Sequence, residues 1–422
     1  MAVYQIFPSA DATLYSRYPL KNTGRDPILE ITVDNSQDGL RFLNRTAITD
    51  NPYYTYDLAA AGNYSTSEAY FPTSSIKRAV LQFSPAEISQ LYTYVSQSVS
   101  GSWSASLKLS LASAQNLSTT YSLEAYALTQ SWSMGTGQFA QVPESRNGVS
   151  WTYTGPANNS PLWVTGGGSW NDNFSSSQFF DYMSNKDINM NVTTIVNGWF
   201  SGSRNLPGSN TIPNYGVILK HPAEIEQNTS SFMDLKFFSV DTHTIYPPTL
   251  EVKWADARYY PQGTNYVLSN QITVTLANNP GEFKQNEVYK MRTAVRYTYP
   301  ARQFTTSSVY LKALYFSEET TWALQDYKTN EMVVDFDPIF TRLSADSIGN
   351  YFTLYTSGLE INRYYRLLIK TKIYSTSYGP LSIYDNEQSI YDALSLYGAG
   401  DLALLPAEEV VFSGENLVFK IV

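Results

Sequence analysis

The sequence predicts an all-β protein, with an N-terminal jelly-roll β-sandwich that carries one short capping helix, followed by an immunoglobulin-like β-sandwich. Short runs in which apolar and polar residues alternate recur along the whole chain, and this period of two is typical of strands with one buried face. Tyr is unusually abundant, with 34 residues among 422, and Tyr favours strands. We find a helical period at one place, near residues 192–200.

Composition excludes several classes of function. Apolar residues make up 43% of the chain and charged residues 15%, which supplies material for cores and little of the charge that marks disorder. The formal net charge of −9 argues against nucleic acid as a partner, because a phosphate-binding face needs clustered Lys and Arg. Cysteine is absent and the chain has two histidines, His221 and His243, so we expect neither disulfides nor a Cys- or His-rich metal site.

The first part of the chain reads as strands separated by turns. A long polar and aromatic insertion spans about residues 34–75, and loops of this length usually serve function or assembly. We predict strands at 11–15, 28–31, 76–83, 104–111, 123–128 and 149–153, with mostly loops over 133–186.

Residues 187–220 contain the helical period. Their apolar residues first alternate as in a strand and then recur at helical spacing, at Val192, Ile195, Val196, Trp199 and Phe200. Asn191 or Thr193 can cap the helix, and Gly202 occupies a position suited to a left-handed C-terminal residue. The nearly continuous apolar run at 215–219 predicts a central strand. The pattern therefore predicts a strand, a helix that closes one end of the sandwich, and a second strand.

Two further strands, at 233–238 and 250–254, complete the first predicted domain, residues 1–256. The polar stretch 255–263 can serve as a linker.

Five motifs mark this order of elements: DATLYS, KRAVLQF, NVTTIVNGWFSG, NYGVILK and PPTLEVKW. In these motifs and their order the chain is similar to the DNRLRE domain family over about residues 10–254. The resemblance implies a jelly roll like that of carbohydrate-binding modules, often found on secreted or surface proteins. The insertion at 34–75 and the loop at 154–186 are longer than in the family pattern, and the family signature is loosely kept near KRAVLQF.

Residues 257–422 form the second predicted domain, an immunoglobulin-like sandwich with loop insertions. Two smaller sandwiches divided near residue 338 are the alternative. The predicted strands are 271–276, 289–299, 309–316, 332–336, 351–355 and 364–374, with two more within 410–422.

A search for catalytic groups predicts no enzyme. Asp335 and Asp337 share one face of a strand, whereas glycoside hydrolysis uses two carboxylates that face each other across a cleft. No nucleophile motif or phosphate-binding loop is convincing. We expect no cofactor; the sequence leaves open a structural calcium bound by Asp11, Asp234 and Glu251, for which solvated strand edges are the alternative.

Aromatic side chains are the recognition signal. Trp132 and Trp151 lie beside strand runs, so we expect them in the core. Trp163 and Trp170, flanked by Gly, Ser and Asn, are better candidates for exposed rings that contact a glycan or a protein. Tyrosines of the insertion join them as candidates: Tyr53, Tyr54 and Tyr56.

These features favour a structural component of a tailed-bacteriophage virion, in the neck, tail, baseplate, fibre or capsid decoration. The N-terminus resembles no signal peptide, so we expect a chain made in the host cytoplasm and carried in the particle, without membrane insertion. Expected partners are other virion proteins and copies of the chain, with contacts through residues 34–75 and the C-terminal strand 417–422. The alternative is a non-catalytic carbohydrate-binding, host-adhesion protein; a polysaccharide depolymerase is a third hypothesis.

Overall fold

The computed structural model describes residues 2–34, 75–98, 101–157, 159–203, 211–227, 232–261, 267, 271–277, 279–299, 314–374 and 407–422. Over these residues the all-β prediction is confirmed, since the chain is built mostly of strands in antiparallel sheets. The chain divides into two compact units. The N-terminal unit comprises residues 6–93 and 104–251, and the C-terminal unit comprises 1–5, 94–103 and 252–422.

The elements up to residue 254 include twelve strands and three short helices among the described residues. In chain order they are β1 Ala2–Ile6, β2 Ala10–Tyr15, β3 Ile28–Asp34, β4 Ser75–Gln82, α1 Pro85–Val95, β5 Trp103–Leu109, β6 Leu111–Gln115, β7 Tyr121–Leu128, β8 Trp170–Phe180, β9 Ile188–Asn191, α2 Thr193–Ser203, β10 Val217–Lys220, α3 Ala223–Glu226, β11 Phe232–Phe238 and β12 Thr249–Trp254.

These strands form two sheets. The larger, of eight strands, has the order β6-β11-β3-β4-β10-β7-β8, with β2 also paired to β4. The smaller has the order β1-β12-β5-β9. Alternating burial along β5, β7 and β11 shows that each has one face in the core, as their sequence period predicts.

The predicted strand, helix and strand within 187–220 are confirmed. β9 belongs to the smaller sheet and β10 to the larger, where β10 is central, between β4 and β7. The Asn191 carboxamide accepts a hydrogen bond from the Thr193 amide at 3.0 Å and caps α2. The five predicted apolar residues are all buried: Val192, Ile195, Val196, Trp199 and Phe200.

The predicted left-handed position of Gly202 at the end of the helix is wrong. Gly202 lies inside α2, which continues to Ser203, rather than in a left-handed position at its end. A Cβ at Gly202 would lie 2.3 Å from the Ile212 carbonyl oxygen, and one at Gly198 would lie 2.5 Å from the Phe174 ring. Glycine therefore lets neighbouring chain pack directly on the helix.

The prediction of a single helix is wrong, because α1 and α3 are helices as well. α1 buries Ile88, Leu91 and Val95, one stripe of helical spacing. Ser84 and Glu87 stand at the spacing of a capping box, with Pro85 at the first helical position, so a helix signal is present in the sequence.

The C-terminal unit contains the later strands and a short 3₁₀ helix. They are β13 Ile272–Ala277, β14 Glu282–Phe283, β15 Val288–Tyr297, β16 Thr321–Asp326, β17 Met332–Val334, β18 Ser344–Ala345, β19 Asn350–Tyr355, β20 Tyr364–Tyr374, β21 Ala407–Phe412, the 3₁₀ turn Glu415–Leu417 and β22 Val418–Ile421.

Two sheets form this part of the unit, one ordered β13-β15-β19-β18 and the other β14-β22-β20-β16-β17, with β21 also paired to β20. Trp322 of β16 stacks on Phe352 of β19 with ring centroids 4.5 Å apart, so the two sheets face each other. One hydrophobic core includes residues on both sides of position 338, among them Leu324 and Leu354. Strands before and after residue 338 therefore pack into the same hydrophobic core.

Candidate functional site

The predicted exposure of Trp163 is wrong. Trp163 is only 5% exposed and its indole N–H donates to the Ser150 carbonyl at 2.9 Å. Trp132 is buried as predicted and donates to the Tyr215 carbonyl at 2.9 Å. Both indoles pack with Leu14 and Ile218 in a hydrophobic cluster. Trp163 therefore has no ring face open to a glycan.

Trp170 is half-buried, and two cationic side chains lie close to its ring. The Arg78 guanidinium carbon lies 5.1 Å from the Trp170 ring centroid and 4.9 Å from that of Trp151. The Lys220 ammonium is 5.5 Å from the Trp170 ring. Cation–π contacts of this kind are attractive, more so where water is excluded.

Arg78 is the centre of a buried charge cluster in the N-terminal unit. Its guanidinium donates to both Glu226 carboxylate oxygens, at 3.0 and 2.7 Å. It also donates to the Gly167 carbonyl at 2.9 Å, which ties the segment between β7 and β8 to the sheet. Gly167 has φ +81° and a Cβ there would lie 2.6 Å from the Trp151 ring, so glycine is required beside the cluster.

The next strands extend this cluster. Lys220 pairs opposite Glu124 in the register of β10 and β7, and its ammonium lies 3.5 Å from the Glu124 carboxylate. The same ammonium donates to the His221 carbonyl at 2.6 Å. The Tyr126 hydroxyl donates to Glu124 at 2.9 Å, and burial raises the pKa of Tyr126 to about 12. These groups bind one another, which links β10 to β7 through side chains as well as through the backbone.

The three calcium candidates do not come together. Asp11 accepts a hydrogen bond from the Val240 amide at 2.7 Å, and Asp234 accepts one from the Thr32 hydroxyl at 2.6 Å. Glu251 pairs with Lys108 at 2.9 Å. Within the described ranges, three or more His, Cys, Asp or Glu side chains nowhere form a group that could hold a metal ion. Each predicted ligand instead has its own protein partner.

Asp11 and His221 are buried titratable groups of the N-terminal unit with strongly shifted pKa values. Burial raises the pKa of Asp11 to about 7, with the Asp241 carboxylate adding to the shift and the Val240 amide opposing it. Burial lowers the pKa of His221 to about 4, so its ring is neutral at pH 7.

Of the two aspartates that follow β17, Asp337 shapes a turn and Asp335 lies at the surface. The Asp337 carboxylate accepts hydrogen bonds from the Ile339 and Phe340 amides at 2.8 and 2.9 Å, which shapes the chain before Thr341. Asp335 is exposed. The Asp335 carboxylate therefore lies in solvent and the Asp337 carboxylate in a turn. Both positions agree with the interpretation of this pair as a solvated strand end.

The C-terminal strand is not an open edge. β22 lies between β14 and β20, paired to both, with Phe419 and Ile421 buried. Its prediction as a strand that adds to a neighbour's sheet is wrong, because both of its edges are already hydrogen-bonded within the unit. Residues 35–74 and the candidates Tyr53, Tyr54 and Tyr56 lie outside the described residues; the ends of this insertion, Asp34 and Ser75, are paired neighbours on β3 and β4.

The edge strand β8 is linked to β9 by side chains. The Ser176 hydroxyl donates to the Asn191 carbonyl, and the Gln178 carboxamide both donates to the Asp187 carbonyl and accepts from the Asn189 amide. Backbone groups of β9 that another strand could bind are therefore already occupied.

A stiff turn with exposed apolar side chains follows β8. The Asp181 carboxylate accepts hydrogen bonds from the amides of Met183 and Ser184, at 2.9 and 2.6 Å. The Lys186 ammonium donates to the Asp181 and Ser184 carbonyls at 2.6 and 2.7 Å. Tyr182 is 81% exposed and Met183 86%. We call residues 181–186 the apolar turn.

The C-terminal unit contains an aromatic pocket of about 230 Å³. Its lining includes four aromatic rings, one carboxylate and one guanidinium, from Tyr94, Trp254, Tyr351, Tyr355, Asp256 and Arg258. Tyr351 and Tyr355 share one face of β19 because they are four residues apart on a strand. The sequence predicted Trp254 as a strand residue but did not indicate this pocket.

No family model matches the chain. No curated protein matches it either. Among the described residues, none of the helices has the length and apolarity needed to cross a membrane.

Proposed function

We propose that this chain is a structural component of a tailed-bacteriophage virion, in the neck, tail, baseplate, fibre or capsid decoration. It acts through contacts with other virion proteins and with copies of itself, without catalysis. The observation that carries the proposal is the apolar turn, which presents Tyr182 and Met183 to solvent on a hydrogen-bonded frame.

Such a turn suits protein contact for two reasons. Aromatic residues and Met are enriched at the buried centres of protein interfaces. The Lys186 ammonium and the Asp181 carboxylate already hold the backbone in one conformation, so binding orders little additional chain and loses little entropy. Phe179, near the end of β8, is a further exposed apolar side chain three residues before Tyr182.

The rest of the chain supports a scaffold role. Both units are β-sandwiches in which ion pairs and side-chain hydrogen bonds tie loops to sheets, which resists deformation. The chain has no cysteine and 34 tyrosines, a composition suited to broad contact surfaces that need no oxidation to form. Repeated positions around the axes of a particle would supply the symmetric neighbours.

The proposal is tested by one measurement on purified virions and one on the purified chain. Mass spectrometry of purified virions is expected to detect the protein, and light scattering after size exclusion is expected to show a discrete multimer. The double variant Tyr182→Ser, Met183→Ser is expected to weaken that multimer, whereas Val164→Ser, a matched change at another exposed apolar residue, leaves it unchanged. A chain that is monomeric and absent from virions would contradict the proposal.

A further inference from the structure

We infer that Tyr94 and Tyr355 of the C-terminal unit form an oxidative cross-linking site, at which an oxidant of the peroxide class joins the two rings by a carbon–carbon bond. The inference goes beyond the assembly role and stands independently of it. It rests on the packing of three tyrosines, on the rings and charges around them and on the pocket that two of them line. The bond is a covalent tie in a chain that has no cysteine.

Three phenol rings pack together in this unit. The ring centroids of Tyr94 and Tyr355 lie 5.1 Å apart, and that of Tyr4 lies 6.0 Å from the first and 5.6 Å from the second. Packed rings have centroids about 4.5–7 Å apart, so the closest pair is near the lower limit. Burial, reinforced by the neighbouring phenols of Tyr94 and Tyr4, raises the pKa of Tyr355 to about 12, which indicates that the hydroxyl ends are neighbours. Phenols couple at the carbons beside the hydroxyls, so these are the ends that must meet.

Contact before oxidation selects this pair. Two phenoxyl radicals that already touch combine within one molecule, whereas two exposed tyrosines of different chains must first meet by collision. Tyr182 and Tyr299, which are 81% and 75% exposed, are tyrosines of the second kind. In dilute solution the bond within the C-terminal unit therefore forms ahead of bonds between chains.

The neighbouring rings direct the oxidation to Tyr94 and Tyr355. Trp254 is 2% exposed and packs on both, with its centroid 6.3 Å from that of Tyr94 and 5.2 Å from that of Tyr355. An electron lost from this indole is therefore replaced from a touching phenol. Tyr351 is disfavoured, because the Lys290 ammonium lies 3.6 Å from its ring centroid and a positive charge there opposes removal of an electron.

The step balances in electrons and protons. Each phenol loses one electron and its hydroxyl proton, a bond forms between the two ring carbons beside the oxygens, and each of these carbons then passes its hydrogen as a proton to the ring oxygen. The product has two hydrogen atoms fewer than the two tyrosines, and the peroxide accepts the two electrons as its O–O bond breaks. The two protons pass to the Asp256 carboxylate, an acceptor that lines the same pocket as Tyr94 and Tyr355, and from there to solvent.

The experiment is photo-oxidation of the intact chain in dilute solution, with tris(bipyridyl)ruthenium and peroxodisulfate. Peroxodisulfate supplies the peroxide bond, and the oxidised ruthenium complex removes single electrons without entering the fold. We expect the blue fluorescence of dityrosine in chains that remain monomers on a denaturing gel, and fragmentation of proteolytic peptides should place the bond between Tyr94 and Tyr355. Absence of dityrosine within the chain, or dityrosine mapped to a different pair, would overturn the inference.

Variants that keep each ring and remove its hydroxyl locate the bond. Tyr4→Phe should retain the fluorescence within the chain, whereas Tyr4→Phe combined with Tyr355→Phe removes two of the three phenols and should abolish it. Urea unfolding before oxidation checks that both variants fold. Tyr92→Phe is the matched control on α1, because Tyr92 packs against Phe200 at 5.4 Å, and it should fluoresce as the parent does. Loss of the signal in Tyr4→Phe, or an unchanged signal in the double variant, would contradict the assignment.

Discussion

Each of the two units contains an arginine that donates to both oxygens of one carboxylate, and the two pairs lie in different surroundings. In the N-terminal unit Arg78 donates to both oxygens of Glu226, and in the C-terminal unit Arg292 donates to both oxygens of Asp346, at 2.9 and 2.6 Å. The side chains of the first pair are 9% and 5% exposed, and those of the second 22% and 30%. The first pair is therefore almost dry and the second is reached by water.

Because of this difference in exposure we expect the two pairs to contribute differently to stability, although each has two hydrogen bonds. Breaking a buried pair leaves a charge that water cannot solvate, whereas water replaces the lost partner of an exposed pair. Arg78 also binds the chain between β7 and β8, which we call the covering segment, through the Gly167 carbonyl, and it lies beside the Trp151 and Trp170 rings. Its loss would therefore affect packing as well. The following predictions test this contrast, from the largest expected effect to the smallest.

Replacing Arg78 by Ala is expected to lower the free energy of unfolding by about 3–5 kcal/mol, because the buried Glu226 carboxylate would lose both of its hydrogen bonds from the guanidinium at a site that water hardly reaches. Urea unfolding of the intact chain, followed by far-ultraviolet circular dichroism, measures the change. The matched double variant Arg78→Met, Glu226→Leu removes both charges and should recover much of the loss. A double variant as unstable as Arg78→Ala would show that the covering segment, rather than the buried charge, accounts for the effect.

Acid is expected to destabilise the N-terminal unit through His221. The pKa of His221 in the folded chain, about 4, lies below the ordinary value of 6.5. Between these two pH values the unfolded chain therefore binds a proton at His221 and the folded chain does not. Stability from this residue is complete above pH 6.5 and falls toward pH 4, by an amount of the order of 3 kcal/mol. Unfolding of His221→Gln at the same pH values should lack this decline. An unchanged slope in the variant would assign the decline to another group.

Asp11 is expected to give the opposite pH dependence in the same unit. Its folded pKa of about 7 exceeds the ordinary 3.8, so its contribution is most favourable below pH 3.8 and is lost as the pH rises through 7. Asp11→Asn should raise the unfolding free energy at pH 8 by an amount of the order of 1 kcal/mol. The gain in unfolding free energy is limited because the NH₂ group of the Asn side chain would be buried, and its two donors would need hydrogen-bond acceptors. Destabilisation by this variant at pH 8 would contradict the assignment.

Arg292→Ala is expected to lower the unfolding free energy by at most about 1 kcal/mol, the range of exposed ion pairs, and less in high salt. The hydrogen bond from Arg292 holds the pKa of Asp346 well below its ordinary value, so the pair survives mild acid that already protonates His221 in the unfolded chain. Urea unfolding at low and high salt measures both properties. A loss as large as that of Arg78→Ala would remove the contrast between the two units.

The sequence predicted elements best where one face is buried and one is not. It located α2 and its five buried residues, and the strands that became β5, β7 and β11, because alternation follows directly from one-sided burial. It missed β16, which is buried on both faces and so has no alternation, and β8, whose Ser- and Asn-rich sequence resembles a loop. Helix α1 was missed although its capping pattern is present.

Site predictions from the sequence were less successful. Gly, Ser and Asn around Trp163 predicted an exposed loop, yet the segment folds back onto the outer face of the larger sheet and buries the indole. The same covering segment explains why β2 is almost wholly buried, since each of its faces is covered. The aromatic pocket joins Tyr94, Trp254 and Tyr351, which no local pattern connects.

The sequence by itself determined the all-β class, the α2 helix and the position of β10, because each depends on the spacing of apolar residues along a few turns or one strand. Only the tertiary structure decided which loop covers a sheet, that β22 has no open edge, and that Arg78 lies between two indoles. The physical reason is that burial of a side chain depends on residues distant in the chain. Hydrophobic periodicity does not determine which distant segment packs on a given face.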